Sequence, residues 1–232
     1  MDLIWEGLRK ALELLLTLDP EVLRITLLSL EVSGLATLIS LVIGLGVAVP
    51  VALNEFPGKR LVIALLNTGM GLPPVVVGLF VTVLLWRNGP FGFLEILYTP
   101  TAMILAQAAI ASPIIAGISL SALQHLPPGL RLQILALGAS QPQMVWLLLK
   151  EARLPLLAAV MAGFGGVISE VGASIMVGGN IKGQTRVLTT ATVMETSKGN
   201  FEVAFALSIL LLALAFAVNA VLTHVQQRNH SR

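Results

Sequence analysis

One acid stands deep inside an apolar stretch. It is Glu170, in "LPLLAAVMAGFGGVISEVGASIMVGGN", residues 154–180, and no other charge sits so far within a hydrophobic segment. A carboxylate at the centre of a membrane helix costs about 2.5–3.5 kcal/mol on insertion scales, so it must face protein or water and not lipid. Two roles are open to it: a hydrogen-bonding residue between packed helices, or a residue that lines or gates a pathway. Around it are neutral donors, Ser169, Ser174, Asn180 and Thr185. Such groups can solvate an anion that would otherwise be bare in hydrocarbon. A carboxylate would repel a dianion, which favours a gating or structural role for Glu170 over ligation.

Bond-making chemistry finds no support. The chain has no cysteine, which removes disulfides and thiolate metal sites, and its three histidines, at 125, 224 and 230, lack ligand spacing and belong to loop and tail. No serine–histidine–acid set, metal cluster or carboxylate pair can be assembled, so no enzyme is expected. "GGNIKGQT" from Gly178 matches a phosphate-binding loop except at the lysine, which is Gln184. Without that charge, and without a preceding buried strand, the loop does not bind ATP.

These residues need a scaffold, and the composition names its solvent. Of 232 residues, 56% are hydrophobic and 11% charged, against about a quarter charged in soluble domains; mean hydropathy is +0.91. The expected fold class is an all-α membrane protein. About 20 apolar residues cross a bilayer as a helix, and five such stretches are expected: Val32–Leu53, Leu61–Trp86, one within Ile96–Leu123, Leu154–Ser169 with its continuation past Glu170, and Val203–Thr223. Pro73, Pro74 and Pro113 fall inside the second and third and permit kinks there. Counting in fours from Ala158 gives Ala162, Gly166, Glu170, Ser174 and Gly178, a stripe of small residues that lets helix backbones approach; Ser33, Thr37, Ser40 and Gly44 form another in the first span, below Glu31, where helix packing is the better reading.

Residues 1–20 place Asp2, Glu6, Arg9, Lys10 and Glu13 three or four apart, opposite Ile4, Leu8 and Leu12. An interfacial helix on the membrane surface is expected, ended by Asp19-Pro20. Residues 21–225 then form one transmembrane domain and 226–232 a polar tail. The formal charge of +2 gives no reason to expect nucleic acid. Nor does it orient the chain: Lys59, Arg60, Arg131, Lys150, Arg153, Arg228 and Arg232 balance Arg9, Lys10, Arg24, Arg87, Lys182, Arg186 and Lys198 across the bilayer.

Among the connections, residues 124–155 stand out. "ALGASQPQMVWLLLKEARLP", from Ala136 to Pro155, has a glycine, a polar turn and a closing Leu-Pro before the next span. It resembles the coupling loop of ABC importer permeases, in which E-A-A, three intervening residues, a Gly and a later L-P recur. Gly138 and Leu148 fit the Gly and aliphatic positions. Leu132, Gln133 and Ile134 stand at the E-A-A, and Leu154-Pro155 comes four residues later than the family spacing. "SEVGASIMVGGNIKGQT" is similar to the "GEFGA…NIPGET" stretch of molybdate and sulfate permeases. "FPGK" from Phe56 and "LPPVVVG" from Leu72 look like that group too. Lys182 in place of its proline, within "VGGNIKGQTRVLTTATVMETSKGNF", is closer to the tungstate branch.

The resemblance implies a type I ABC importer permease: a homodimer with a coupling helix docked on cytoplasmic ATPase subunits and an extracytoplasmic binding protein delivering an oxyanion, most nearly tungstate. Gly138, Ala139, Ser140, Gln141 and Pro142 would form the tip of the coupling loop, and Leu154 and Pro155 its end. ATP and Mg would sit on the partner subunit, no cofactor on this chain. The loop would be cytoplasmic, the N-terminus outside, and the protein multi-pass in a bacterial inner membrane. Molybdate or sulfate is the alternative cargo. A secondary transporter without an ATPase is the alternative class, and a scaffold without transport is disfavoured by the broken spans.

Overall fold

The computed structural model describes residues 5–7, 9–10, 13 and 19–228. Residues 5–7, 9–10 and 13 are helical, and Lys10 pairs with Glu13 at 3.0 Å. The rest of the expected N-terminal interfacial helix lies outside the described residues.

Among the described residues from 19 to 228 all regular structure is helical. The elements are α1 (Pro20–Leu53), α2 (Lys59–Met70), α3 (Pro74–Leu85), α4 (Pro100–Gln124), α5 (Leu130–Ala136), α6 (Gln141–Glu151), α7 (Arg153–Ile168), α8 (Gly172–Gly178), α9 (Leu188–Ser197) and α10 (Phe201–Arg228), with a 3₁₀ turn at Gly92–Leu94. Three of these, α1, α4 and α10, are long and apolar enough to cross a bilayer singly. The pairs α2–α3 and α7–α8 reach that length only together, across bends of 103° and 61°, which makes five passes if each bent pair is one span.

Local chemistry sets most of the ends. Asp19 accepts from the Glu21 and Val22 amides at 2.9 and 3.1 Å and so caps α1, with Pro20 at its first position. The first span therefore starts a dozen residues before its apolar core. Thr99-Pro100 starts α4 in the same way, with the Thr99 hydroxyl accepting the Ala102 amide. Gly179–Asn200, expected as a connection only, contains the ten-residue helix α9.

α1 and α4 form the central pair. The buried stripe of α1 includes Ser33, Thr37, Ser40 and Gly44, the four expected to serve packing. A Cβ on Gly44 would lie 2.9 Å from Ile115 of α4. The Ser40 hydroxyl crosses to the Ala108 carbonyl at 3.0 Å.

Long-range contacts sort the loops into two ends. At one, Glu21 pairs with Lys182 at 2.7 Å and Arg186 at 3.4 Å, and the Tyr98 amide donates to the Val177 carbonyl at 2.8 Å. There Lys198 and then Asn200 donate to Glu195 and hold its carboxyl below the usual carboxylate range. At the other end, Arg131 donates to the Leu53 carbonyl and Gln226 to the Leu154 carbonyl at 3.3 Å. The segment expected as the coupling loop thus sits where α1 and α10 end and α7 begins.

Candidate functional site

The stripe counted in fours through Glu170 does not continue as one helix. α7 stops at Ile168 and α8 begins at Gly172, so Ser169, Glu170 and Val171 are a break inside a span. Breaking a helix in hydrocarbon frees backbone donors and acceptors that must be paired within the protein. Here the pairing is complete enough to trace. The Ser169 hydroxyl returns to the Gly165 carbonyl at 2.9 Å, and the Glu170 amide to Val167 at 3.1 Å. Glu170 Oε1 accepts the Ala173 amide at 2.9 Å, and its carbonyl accepts the Thr189 hydroxyl at 2.9 Å. Glu170, 9% exposed, therefore supplies the cap of the second half-helix. A carboxylate there also faces the positive end of α8.

After α8 the chain turns back on itself. Gly179 and Asn180 have positive φ, +71° and +51°. Fully buried Thr185 closes the turn, its Oγ1 accepting the Ile181 amide at 3.0 Å and donating to the Gly178 carbonyl. Asn180 Nδ2 reaches the Thr190 carbonyl at 3.4 Å. The returning segment, entering α9, brings Thr189 level with Glu170 and the Leu188 amide to Ser29 Oγ of α1 at 2.8 Å. Residues 179–190 thus fold back from the end of α8, and the start of α9 bonds both to α1 and to the break.

The candidate donors thus have different settings. Ser169 is exposed at the break; Thr185 and Asn180 shape the turn after α8; Ser174 is buried and accepts from Gln107 Nε2 at 3.2 Å. Gln107 Oε1 in turn accepts the Ser33 hydroxyl at 3.2 Å. This buried Ser33–Gln107–Ser174 chain ties α1, α4 and α8 together, and sequence reasoning missed its hub. The signal was there: Gln107 is the one amide side chain in the apolar run 102–120.

The second interrupted span meets the first. α3 starts at Pro74, after Gly71-Leu72-Pro73. A Cβ on Gly172 would lie 2.6 Å from Val75 Cγ2, and one on Gly78 would lie 2.7 Å from the Ala173 Cα. The first turns of α3 and α8 therefore touch, and both half-helices run from there to the Tyr98 end.

At the other end the segment expected as the coupling loop is a helix-turn-helix. α5 closes at Leu137, and Gly138 takes φ +88° with open space around the position of a Cβ. That left-handed conformation suits glycine. Ser140 caps α6, its amide donating to Gln143 Oε1 at 2.8 Å, with Pro142 in the first turn. Gly138, Ser140, Gln141 and Pro142 are exposed and Ala139 half-buried. Leu137 is 88% exposed and Trp146 68%. Behind the tip, Ile134, Met144, Leu148 and Ala152 form a buried cluster against Leu45, Val49 and Leu53 of α1. Leu154 and Pro155 lie in the first turn of α7, where proline's missing N–H has no intrahelical partner to lose. The tip is backed by this cluster and presented outward.

His125 and His224 are exposed, and the described residues contain no cluster of three or more metal-ligating side chains; His230 lies outside them.

Residues 40–231 match the family described as the binding-protein-dependent transport system inner membrane component. The chain belongs to that family. It is 41% identical over 227 residues to the tungstate uptake system permease protein of Peptoclostridium acidaminophilum, covering 98% of this chain and all of the relative. It is 43% identical over 213 residues to a probable anion ABC transporter permease protein of Haloferax volcanii, covering 90% and 92%. The molybdenum transport system permease protein of Escherichia coli K12 is 31% identical over 207 residues, 85% and 90% of the two chains. In fold, the permease is similar to a chain of the methionine ABC transporter MetNI, with a TM-score of 0.74 at 22% identity over 90% and 98% of the chains. As a family member it is a multi-pass inner-membrane transport component.

Proposed function

We propose that this permease is the transmembrane subunit of an ABC importer that carries tungstate into the cell. Identity of 41% along the full length of a tungstate uptake permease supports that cargo, and the observation that carries the coupling role is the exposed turn Gly138–Pro142 at the end of three spans. Molybdate and sulfate are the related cargoes. In this reading two copies associate, the turn docks on a cytoplasmic ATPase subunit, and a separate binding protein delivers the anion. ATP and Mg belong to the ATPase subunit. The coupling end is cytoplasmic, and the Glu21–Lys182–Arg186 end faces outward.

A tetrahedral dianion is excluded from hydrocarbon by its solvation energy, so its path needs donors without a fixed negative charge. Ser169, exposed at the break, meets that need when its hydroxyl turns from the Gly165 carbonyl, to which it donates at 2.9 Å, toward the path. Glu170 is placed to gate through structure. Its carboxylate is held by the Ala173 amide, so any movement of α8 against α7 has to break or carry that bond. ATP binding would draw the ATPase subunits together and move the two turns, and α7, which follows the coupling helix after the single residue Ala152, would transmit the motion to the break.

ATP-driven uptake of labelled tungstate, molybdate and sulfate by the reconstituted complex tests the cargo: tungstate should outcompete both rivals, and failure to do so sinks that choice. Replacing Gly138 with leucine should leave the ATPase bound but cut uptake per ATP about tenfold. The left-handed conformation costs a branched residue about 1–2 kcal/mol, roughly tenfold in population of the docked geometry. Uptake coupled as in the wild type would remove the coupling assignment. Uptake driven by an ion gradient with no ATPase present would favour a secondary transporter.

A further inference from the structure

The underside of the coupling segment holds a cleft of about 510 Å³ between α5, α6 and the start of α7. Its floor is aliphatic, made by Leu130, Ile134, Leu147 and Leu154, and its rim is charged, with Lys150 and Arg153 against Glu151. This surface is distinct from the exposed coupling tip. Helical residues advance about 100° each, so on α5 Leu130 and Ile134 share one face while Leu132 looks nearly the opposite way. On α6, Leu147, Lys150 and Glu151 share a flank, and Trp146, about 100° from Leu147 but one turn before Lys150, borders the cationic side of the rim. A docking partner on Leu132 and Leu137, which are 70% and 88% exposed, leaves the aliphatic floor uncovered.

Its location says what meets it. Arg153 opens the helix that enters the membrane, Leu154 is bonded through its carbonyl to Gln226 at the end of α10, and Arg131, next to Leu130, is bonded to the last carbonyl of α1. The floor therefore borders the hydrocarbon and the rim lies at headgroup level. An apolar floor of this kind is disfavoured against water, and an acyl chain covers it without that loss. Two cations against one acid leave the rim positive. A phosphodiester is complementary to it, and a headgroup with a compensating ammonium is less so. The positive end of α7 opens at the same place.

We propose that this cleft seats an anionic phospholipid of the membrane leaflet on the coupling side, its phosphate between Lys150 and Arg153 and one acyl chain along Leu130, Ile134, Leu147 and Leu154. The lipid is then part of the lever, filling the space under α5 and α6 and stiffening their attachment to α7.

The test uses the full chain in mild detergent, incubated with phosphatidylglycerol and phosphatidylcholine of identical chains and weighed by native mass spectrometry. Phosphatidylglycerol should be retained about tenfold in excess, the scale of two basic residues partly offset by one acid. Lys150→Gln with Arg153→Gln should bring the preference to within about twofold, and Arg87→Gln, at the opposite end, should leave it intact. Where the double variant misfolds by circular dichroism, the intact cleft answers instead. In a Trp5→Phe, Trp86→Phe background, acyl-brominated phosphatidylglycerol should quench Trp146 more than brominated phosphatidylcholine at equal mole fraction. Equal retention or equal quenching of the two lipids, or a preference that survives loss of both cations, overturns the proposal. So does displacement of the lipid by added ATPase subunit, which would assign the cleft to a protein contact. None of these readouts depends on transport, so they stand or fall apart from the choice of tungstate.

Discussion

The two interrupted spans solve one problem in opposite ways. Between α2 and α3 the break is made by proline: Pro73 and Pro74 have no amide hydrogen, and the Pro73 carbonyl accepts from Val76 at 2.9 Å and Val77 at 3.4 Å. Little is left to satisfy, because the donors were never installed. Between α7 and α8 no proline is present. The donors exist, and Glu170, Ser169 and Thr189 are spent on pairing the groups around them. A proline break is local and permanent. A break held by a side chain and by a residue nineteen positions away can be undone, which suits the span proposed to carry motion from the Gly138 turn.

The largest effect should come from removing the acid. Glu170→Ala orphans the buried Ala173 amide and should cost about 2–3 kcal/mol, read as a fall in melting temperature in detergent, while Glu170→Gln, which keeps an acceptor, should lose less than half of that. Equal losses would mean that charge and not capping holds the break. Next is the contact that joins the two breaks. Gly78→Ala puts a methyl 2.7 Å from the Ala173 Cα, and overpacking of this kind costs about 1–3 kcal/mol. In the same span Gly71→Ala, whose new methyl would come no nearer than 3.7 Å to the Thr68 carbonyl oxygen, should melt close to the wild type. Gln107→Leu severs α8 from α1 and should cost about 1–2 kcal/mol, and adding Ser33→Ala and Ser174→Ala should restore much of it by removing the stranded hydroxyls. The smallest effect is expected at the proline break. Pro74→Ala adds one first-turn donor and should shift stability by about 0.5 kcal/mol or less; a loss rivalling that of Glu170→Ala would erase the contrast between the two breaks.

How much of this was legible follows the range of each interaction. Gly138 acts within a few residues, and the turn it makes was readable from its spacing; Asp19-Pro20, expected as the end of one helix, is also the start of α1, and Thr99-Pro100, expected within a connection, starts α4. The apolar stretches gave the passes but not their shape, since a 61° bend at Ser169–Val171 has no proline to announce it. α9 was hidden because "LTTATVMETS" has weak periodicity and is ordered by contacts with α10 and by Ser29. Gln107 looked like one polar residue among many small ones. Its partners lie 74 residues before it and 67 after it, and no local pattern points to them.

By itself, then, the sequence determined that the chain lives in a bilayer, roughly where its apolar passes lie, and that a glycine and a polar turn precede an entering Leu-Pro. These follow from hydrophobic length and backbone geometry, which are properties of neighbours in the chain. The tertiary structure alone decided what the buried acid does, which serine, threonine and asparagine groups point inward, that the two breaks touch, and that a cationic cleft opens beneath the coupling turn. Each of those depends on which distant group supplies the missing hydrogen bond or covers the apolar face, and that is settled only when the helices pack.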